Sequence, residues 1–83
     1  MSAVPRITLF TAPDCPHCRQ VKQYLRQKGL RFQELDIQKS PRAQKAFARL
    51  GARGVPVLLV GDTRIDGFDR RRLDRLLAKD GSA

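Results

Sequence analysis

The chain has 83 residues and two cysteines, Cys15 and Cys18, in the stretch Thr11-Ala12-Pro13-Asp14-Cys15-Pro16-His17-Cys18. Two thiols at this spacing, after a strand-like run and at the opening of a helical pattern, read as a dithiol redox pair. Cys15 falls at the helix end, where unpaired N–H groups and the positive end of the dipole stabilise a thiolate. Cys18, three residues on and on the same face, can close a disulfide onto it. Pro16 suits the first helical position, where its missing N–H would have had no partner. Two other readings of the pair stay open: part of a metal or iron–sulfur site shared between two chains, or two inert thiols. Zinc normally takes four ligands. Only His17 remains, between the cysteines and on the wrong face to complete a cage, so no metal ligand is assigned.

The chemistry follows from the placement. Cys15 is expected to be the exposed nucleophile, since a thiol at a helix end in such a pair has its pKa lowered from about 8.5 to roughly 3.5–7. Cys18 is expected to be shielded and to resolve the mixed disulfide. His17 has two readings, an exposed residue at a tolerant position or a donor that favours the thiolate of Cys15.

The elements that must hold this pair are legible as β-α-β-α-β-β-α. Arg6–Thr11 reads as a strand covered on both faces. A helix follows from Pro16 to about Lys28, with Val21, Tyr24 and Leu25 inside and Gly29 as a left-handed cap. Phe32–Asp36 reads as the second strand. Ser40-Pro41 opens a second helix, as N-cap and first-turn proline, with Ala43, Ala46, Phe47 and Leu50 on one face. Val57–Val60 is the most apolar run and reads as a central strand. Gly61-Asp62 turns it into Thr63–Asp66 as a hairpin. Asp69 caps a third helix, with Leu73, Leu76 and Leu77 as its apolar stripe. A helical crossover makes the first two strands parallel. An α/β fold with one mixed four-stranded sheet and three helices results.

Composition sets the bounds. Eighty-three residues, 41% of them hydrophobic, suffice for a single domain, 1–83, with an ordered core of about 6–79. The N-terminus lacks the pattern of a signal peptide, and no run approaches a membrane span. A reducing, cytoplasmic compartment is therefore expected, with no membrane partner and a monomeric state. The formal charge is +9, from 17 basic and 8 acidic side chains. These basic residues are scattered over all three helices without an aromatic platform, which argues against specific nucleic-acid binding and for a solvated basic surface. Arg70-Arg71-Arg72 reads as a solvated face, or as a means of steering an anionic thiol or acidic partner.

Three marks together resemble the glutaredoxin family, the short form of the thioredoxin fold: Cys15-Pro16-His17-Cys18, Gly54-Val55-Pro56 before an apolar strand, and Gly67-Phe68-Asp69 at the last helix. The resemblance covers about Arg6 to Leu77. It implies a dithiol–disulfide oxidoreductase that reduces protein or glutathione mixed disulfides, with no bound cofactor and glutathione as co-substrate. It also implies that Pro56 follows a cis bond and supports the active site together with Pro16 and His17. Val55, Gly67, Phe68 and Asp69 are the implied glutathione or substrate contacts. Ala12 stands where glutathione-using members usually carry lysine, and Gly67-Phe68-Asp69-Arg70 keeps one of their two usual aspartates. Asp14 and Gly67-Phe68 resemble the NrdH-type redoxins, which serve ribonucleotide reductase and draw electrons from thioredoxin reductase. The chain stands between the two groups.

Overall fold

The computed structural model describes residues 6–81, with side chains as far as Leu76. Its elements are β1 (Ile7–Thr11), α1 (Pro16–Gln27), β2 (Gln33–Asp36), α2 (Pro41–Leu50), β3 (Val57–Val60), β4 (Thr63–Asp66) and α3 (Arg70–Gly81). The sheet order is β2-β1-β3-β4. β1 and β2 are parallel, and β1–β3 and β3–β4 are antiparallel. The expected order and mixed sheet are therefore present. Helix α3 continues through Gly81, where fraying from Asp80 is expected. Residues 1–5, 82 and 83 and the side chain of Leu77 lie outside the described set.

The helix ends follow their local chemistry. After α1 the Gly29 N–H donates to Arg26 O and the Leu30 N–H to Leu25 O, at 3.0 and 2.9 Å, with Gly29 at φ 69°. This is the left-handed closure that glycine permits. It takes up Lys28–Leu30, so β2 starts at Gln33, one residue later than expected. Ser40 Oγ accepts the Ala43 N–H at 3.2 Å and caps α2. Asp69 Oδ1 accepts the Arg72 N–H at 3.1 Å and caps α3.

Side-chain alternation divides the core between two faces of the sheet. Ile7, Leu9, Leu58, Val60 and Ile65 pack with Val21, Tyr24 and Leu25 of α1 and Leu73 of α3. Phe10 points the other way, onto Phe47 of α2, with ring centroids 5.8 Å apart. Burying such side chains contributes roughly 1.5–3 kcal/mol each. A strand covered on both faces can be almost wholly apolar, and β1 is.

Register places the site. Phe10 pairs with Val57, and Val57 with Asp66. The end of β1, the start of β3 and the end of β4 therefore share one end of the sheet. The loops that follow or precede them must meet there.

Candidate active site

Cys15 is the N-cap of α1, with extended backbone at φ −127° and ψ 100°. Its sulfur accepts the Cys18 N–H at 3.1 Å. A backbone donor aimed at that sulfur, at the positive end of the helix, favours negative charge on it. The two sulfurs are joined in a disulfide, with Cα atoms 5.2 Å apart. Cys15 is half-buried, whereas Cys18 is only 1% exposed. Cys15 is therefore the more accessible of the two residues.

His17 is exposed, and its Nδ1 lies 3.1 Å from Gln20 Oε1. The imidazole is thus engaged along the helix, and the hydrogen bond to the Cys15 sulfur comes from the backbone. Pro16 occupies the first helical position.

The Val55-Pro56 bond is cis, as the resemblance implies. Pro56 is buried, and its carbonyl accepts the Gly67 N–H at 2.8 Å. Val55, Pro56 and Gly67 line one groove together with Arg53 and Asp66. Phe68 faces a different groove, with Gln20, Tyr24 and Arg70. Asp69 is exposed beyond it, its carboxylate engaged as the α3 cap. So the structure gathers Val55, Pro56 and Gly67, and sets Phe68 and Asp69 to one side. A larger cavity, lined by Arg6, Leu30 and Phe32 among others, lies by the Ile7–Val60 end of the sheet, away from the dithiol.

Three side-chain links around the site have no counterpart in the sequence reading. Arg64 donates from Nε and Nη2 to Asp66, at 2.7 and 2.9 Å, and from Nη1 to Leu50 O at 2.5 Å. It holds the Asp66 carboxyl below its ordinary range, chiefly through these hydrogen bonds. Glu34 Oε2 accepts from the buried Thr11 hydroxyl at 2.9 Å and from Lys22 at 3.1 Å, joining β1, β2 and α1. Tyr24 donates to Asp74 Oδ1, fastening α3 to α1. Burial first, and then that hydrogen bond and the Asp74 charge, push the Tyr24 hydroxyl up to about 12. An aromatic at an inner position signals core, and its hydroxyl is the sign that a partner must exist.

Among the described residues no three His, Cys, Asp or Glu side chains gather as metal ligands. No described helix is long and apolar enough to cross a membrane.

A dithiol at the head of the first helix of this β-α-β-α-β-β-α sheet defines a redox protein of the thioredoxin fold. The family model for glutaredoxin matches residues 7–65. The glutaredoxin-like protein NrdH of Escherichia coli K12 is 32% identical over 71 residues, covering 86% of this chain and 88% of that protein. A glutaredoxin of Neisseria meningitidis serogroup A is 35% identical over 78 residues, covering 90% and 92%. The solved NrdH-redoxin from Escherichia coli superposes with a TM-score of 0.77 at 32% identity, covering 86% of this chain and 93% of that one. The chain belongs to the glutaredoxin family and is a thiol–disulfide oxidoreductase.

Proposed function

We propose that this protein reduces protein disulfides and glutathione mixed disulfides through Cys15, with Cys18 as the resolving thiol. The observation that carries the reading is the half-buried Cys15, its sulfur accepting the Cys18 N–H, with the buried Cys18 as its disulfide partner. In the reduced protein the Cys15 thiolate attacks one sulfur of the substrate disulfide, and the other leaves as thiolate. Cys18 then loses its proton and attacks Cys15, forming the intramolecular disulfide and releasing the second substrate thiolate. Two electrons pass to the substrate. The protein returns to the dithiol at the expense of a thiol or reductase donor.

Glutathione is the proposed donor and co-substrate, with Val55, Pro56 and Gly67 as the groove that receives the incoming thiol. Pro16 starts the helix that presents Cys15, and His17 stands exposed on the same turn. Phe68 and Asp69 flank the groove. No resident cofactor is part of the reading. We place the protein in the cytoplasm as a single-domain monomer.

A second reading has its own support. The Escherichia coli NrdH relative, Ala12 in place of lysine and the Gly67-Phe68 pair favour a redoxin driven by thioredoxin reductase and serving ribonucleotide reductase. The two differ in donor rather than in chemistry. Reduction of the oxidised protein by glutathione, compared with reduction by NADPH and thioredoxin reductase, separates them. Measurable glutathione-dependent turnover is expected. None, alongside rapid reduction by the reductase, would move the chain to the redoxin reading.

A further inference from the structure

The end of the molecule that carries the dithiol also gathers uncommitted positive charge. Arg53 lines the groove with Val55, Pro56 and Gly67. Arg70 lines the groove beside Phe68, and Arg71 and Arg72 follow it on the first turn of α3. All four side chains are exposed. Of the acids at this end, Asp14 beside Cys15 is exposed, and the others have local hydrogen-bond partners. Both carboxylate oxygens of Asp66 are held by Arg64, and Asp69 caps α3. Asp36 accepts the N–H groups of Gln38 and Lys39. Arg70 reaches Asp74 at 4.0 Å, and among the described residues no ion pair involves Arg53, Arg71 or Arg72.

The arginines are also badly placed for the helix they begin. Cations in a first turn oppose the macrodipole. The first turn of α3 holds no acidic residue, and the Asp69 cap sets one carboxylate against three arginines. A negatively charged partner at this end accounts for the placement. The aromatic residues decide what kind of polyanion it is. Phe10 and Tyr24 are buried, and Phe32, Phe47 and Phe68 are half-buried. None is an exposed ring on which a base would stack, so an acidic polypeptide fits better than a single-stranded nucleic acid.

We propose that this dithiol selects disulfides flanked by aspartate and glutamate, which Arg53 and Arg70–Arg72 draw toward Cys15. The proposal rests on the oxidoreductase reading above and names its substrate class. Charge at an open rim acts mainly on encounter, so the preference belongs in kcat/KM and weakens with salt.

Two synthetic peptide disulfides, identical except for acidic or basic residues beside the cysteines, test this. Dithiothreitol, which is uncharged, serves as electron donor. At low ionic strength the acidic peptide is expected to have a kcat/KM roughly tenfold above the basic one. At about 0.3 M salt, where screening reaches only several ångströms, the ratio should fall toward one. The double variant Arg53→Glu, Arg71→Glu should reverse the low-salt order. Equal rates at low salt, or a preference that salt leaves unchanged, would overturn the proposal without touching the dithiol chemistry. Reduction of neither peptide by the wild-type protein would overturn both. An oligonucleotide that inhibits at concentrations below the KM of the acidic peptide would assign the patch to nucleic acid instead.

Discussion

The Gly67 N–H donates to the carbonyl oxygen of Pro56 at 2.8 Å, tying the turn before α3 to the loop before β3. Gly67 makes this bond at φ 76°, a conformation that side chains strain. A Cβ there would meet nothing within 4 Å, so the cost of substitution is conformational rather than steric. Gly67→Ala is therefore expected to lower stability by about 1–2 kcal/mol, read from the denaturant midpoint. A variant as stable as the wild type would show that this turn relaxes without penalty.

Arg64 holds the same region from behind. Its fork on Asp66 fixes the residue before Gly67, and its bond to Leu50 O fixes the residue before the Gly51–Gly54 segment. A cation at the end of α2 also suits the dipole there. Arg64→Lys keeps the charge but loses the planar fork. The expected result is a higher KM for a disulfide substrate, by up to roughly tenfold, with kcat little changed, because the groove is displaced while the thiols are not. Arg64→Met should show the larger effect. Unchanged KM in both variants would mean that the groove keeps its shape without the clamp.

Tyr24 makes stability depend on alkaline pH. Its hydroxyl titrates at about 12 in the folded chain, against an ordinary value of 10.0. The folded state holds this proton more tightly, so the contribution is fully present below pH 10 and is lost as pH rises through 12. Its size is on the order of 2–3 kcal/mol. Tyr24→Phe should lose stability at pH 7 by about 1–2 kcal/mol, since Asp74 gives up its donor. The gap between the two proteins should close between pH 10 and 12 and then reverse. A constant gap across that range would contradict the Tyr24–Asp74 link.

The strands and helices were legible because their signals are local. Val57–Val60 and Thr63–Asp66 end where the apolar run and the Gly61-Asp62 turn place them. Ser40, Asp69 and Gly29 act at the helix ends that their types announce. Cys15 and Cys18 differ in exposure as their positions on one helical turn require. The cross-links were not legible. Tyr24 and Asp74 lie 50 positions apart, Thr11 and Glu34 23, and Arg64 and Leu50 14. Pairings across such distances depend on register and helix docking, and they leave no periodicity behind. Residue types also hid them. Nothing in the Thr63–Asp66 segment marks Arg64, and only the nearness of the α2 carboxyl end gives it a second partner.

His17 is expected to matter less to the nucleophile than its place between the cysteines suggests. Its Nδ1 is paired with Gln20, and the Cys15 sulfur takes its hydrogen bond from the Cys18 amide. His17→Val should raise the Cys15 thiol pKa by less than about one unit, equivalent to about 1.4 kcal/mol. Thiolate absorbance against pH in the reduced protein reads this directly. A rise of two units or more would place the imidazole on the sulfur in the reduced state.

The division of labour between the two sulfurs is the centre of the account, and Cys18→Ser tests it most directly. Cys15 stands half-exposed at the helix head, and Cys18 is buried behind it. Without the resolving thiol, attack on a substrate disulfide stops at the first exchange. Intact-mass and peptide mass spectrometry of Cys18→Ser after incubation with a disulfide peptide should show one peptide bound through Cys15. The converse variant, Cys15→Ser, should bind none. A stable adduct on Cys18 in Cys15→Ser, with Cys18→Ser left unmodified, would contradict the assignment of Cys15 as nucleophile.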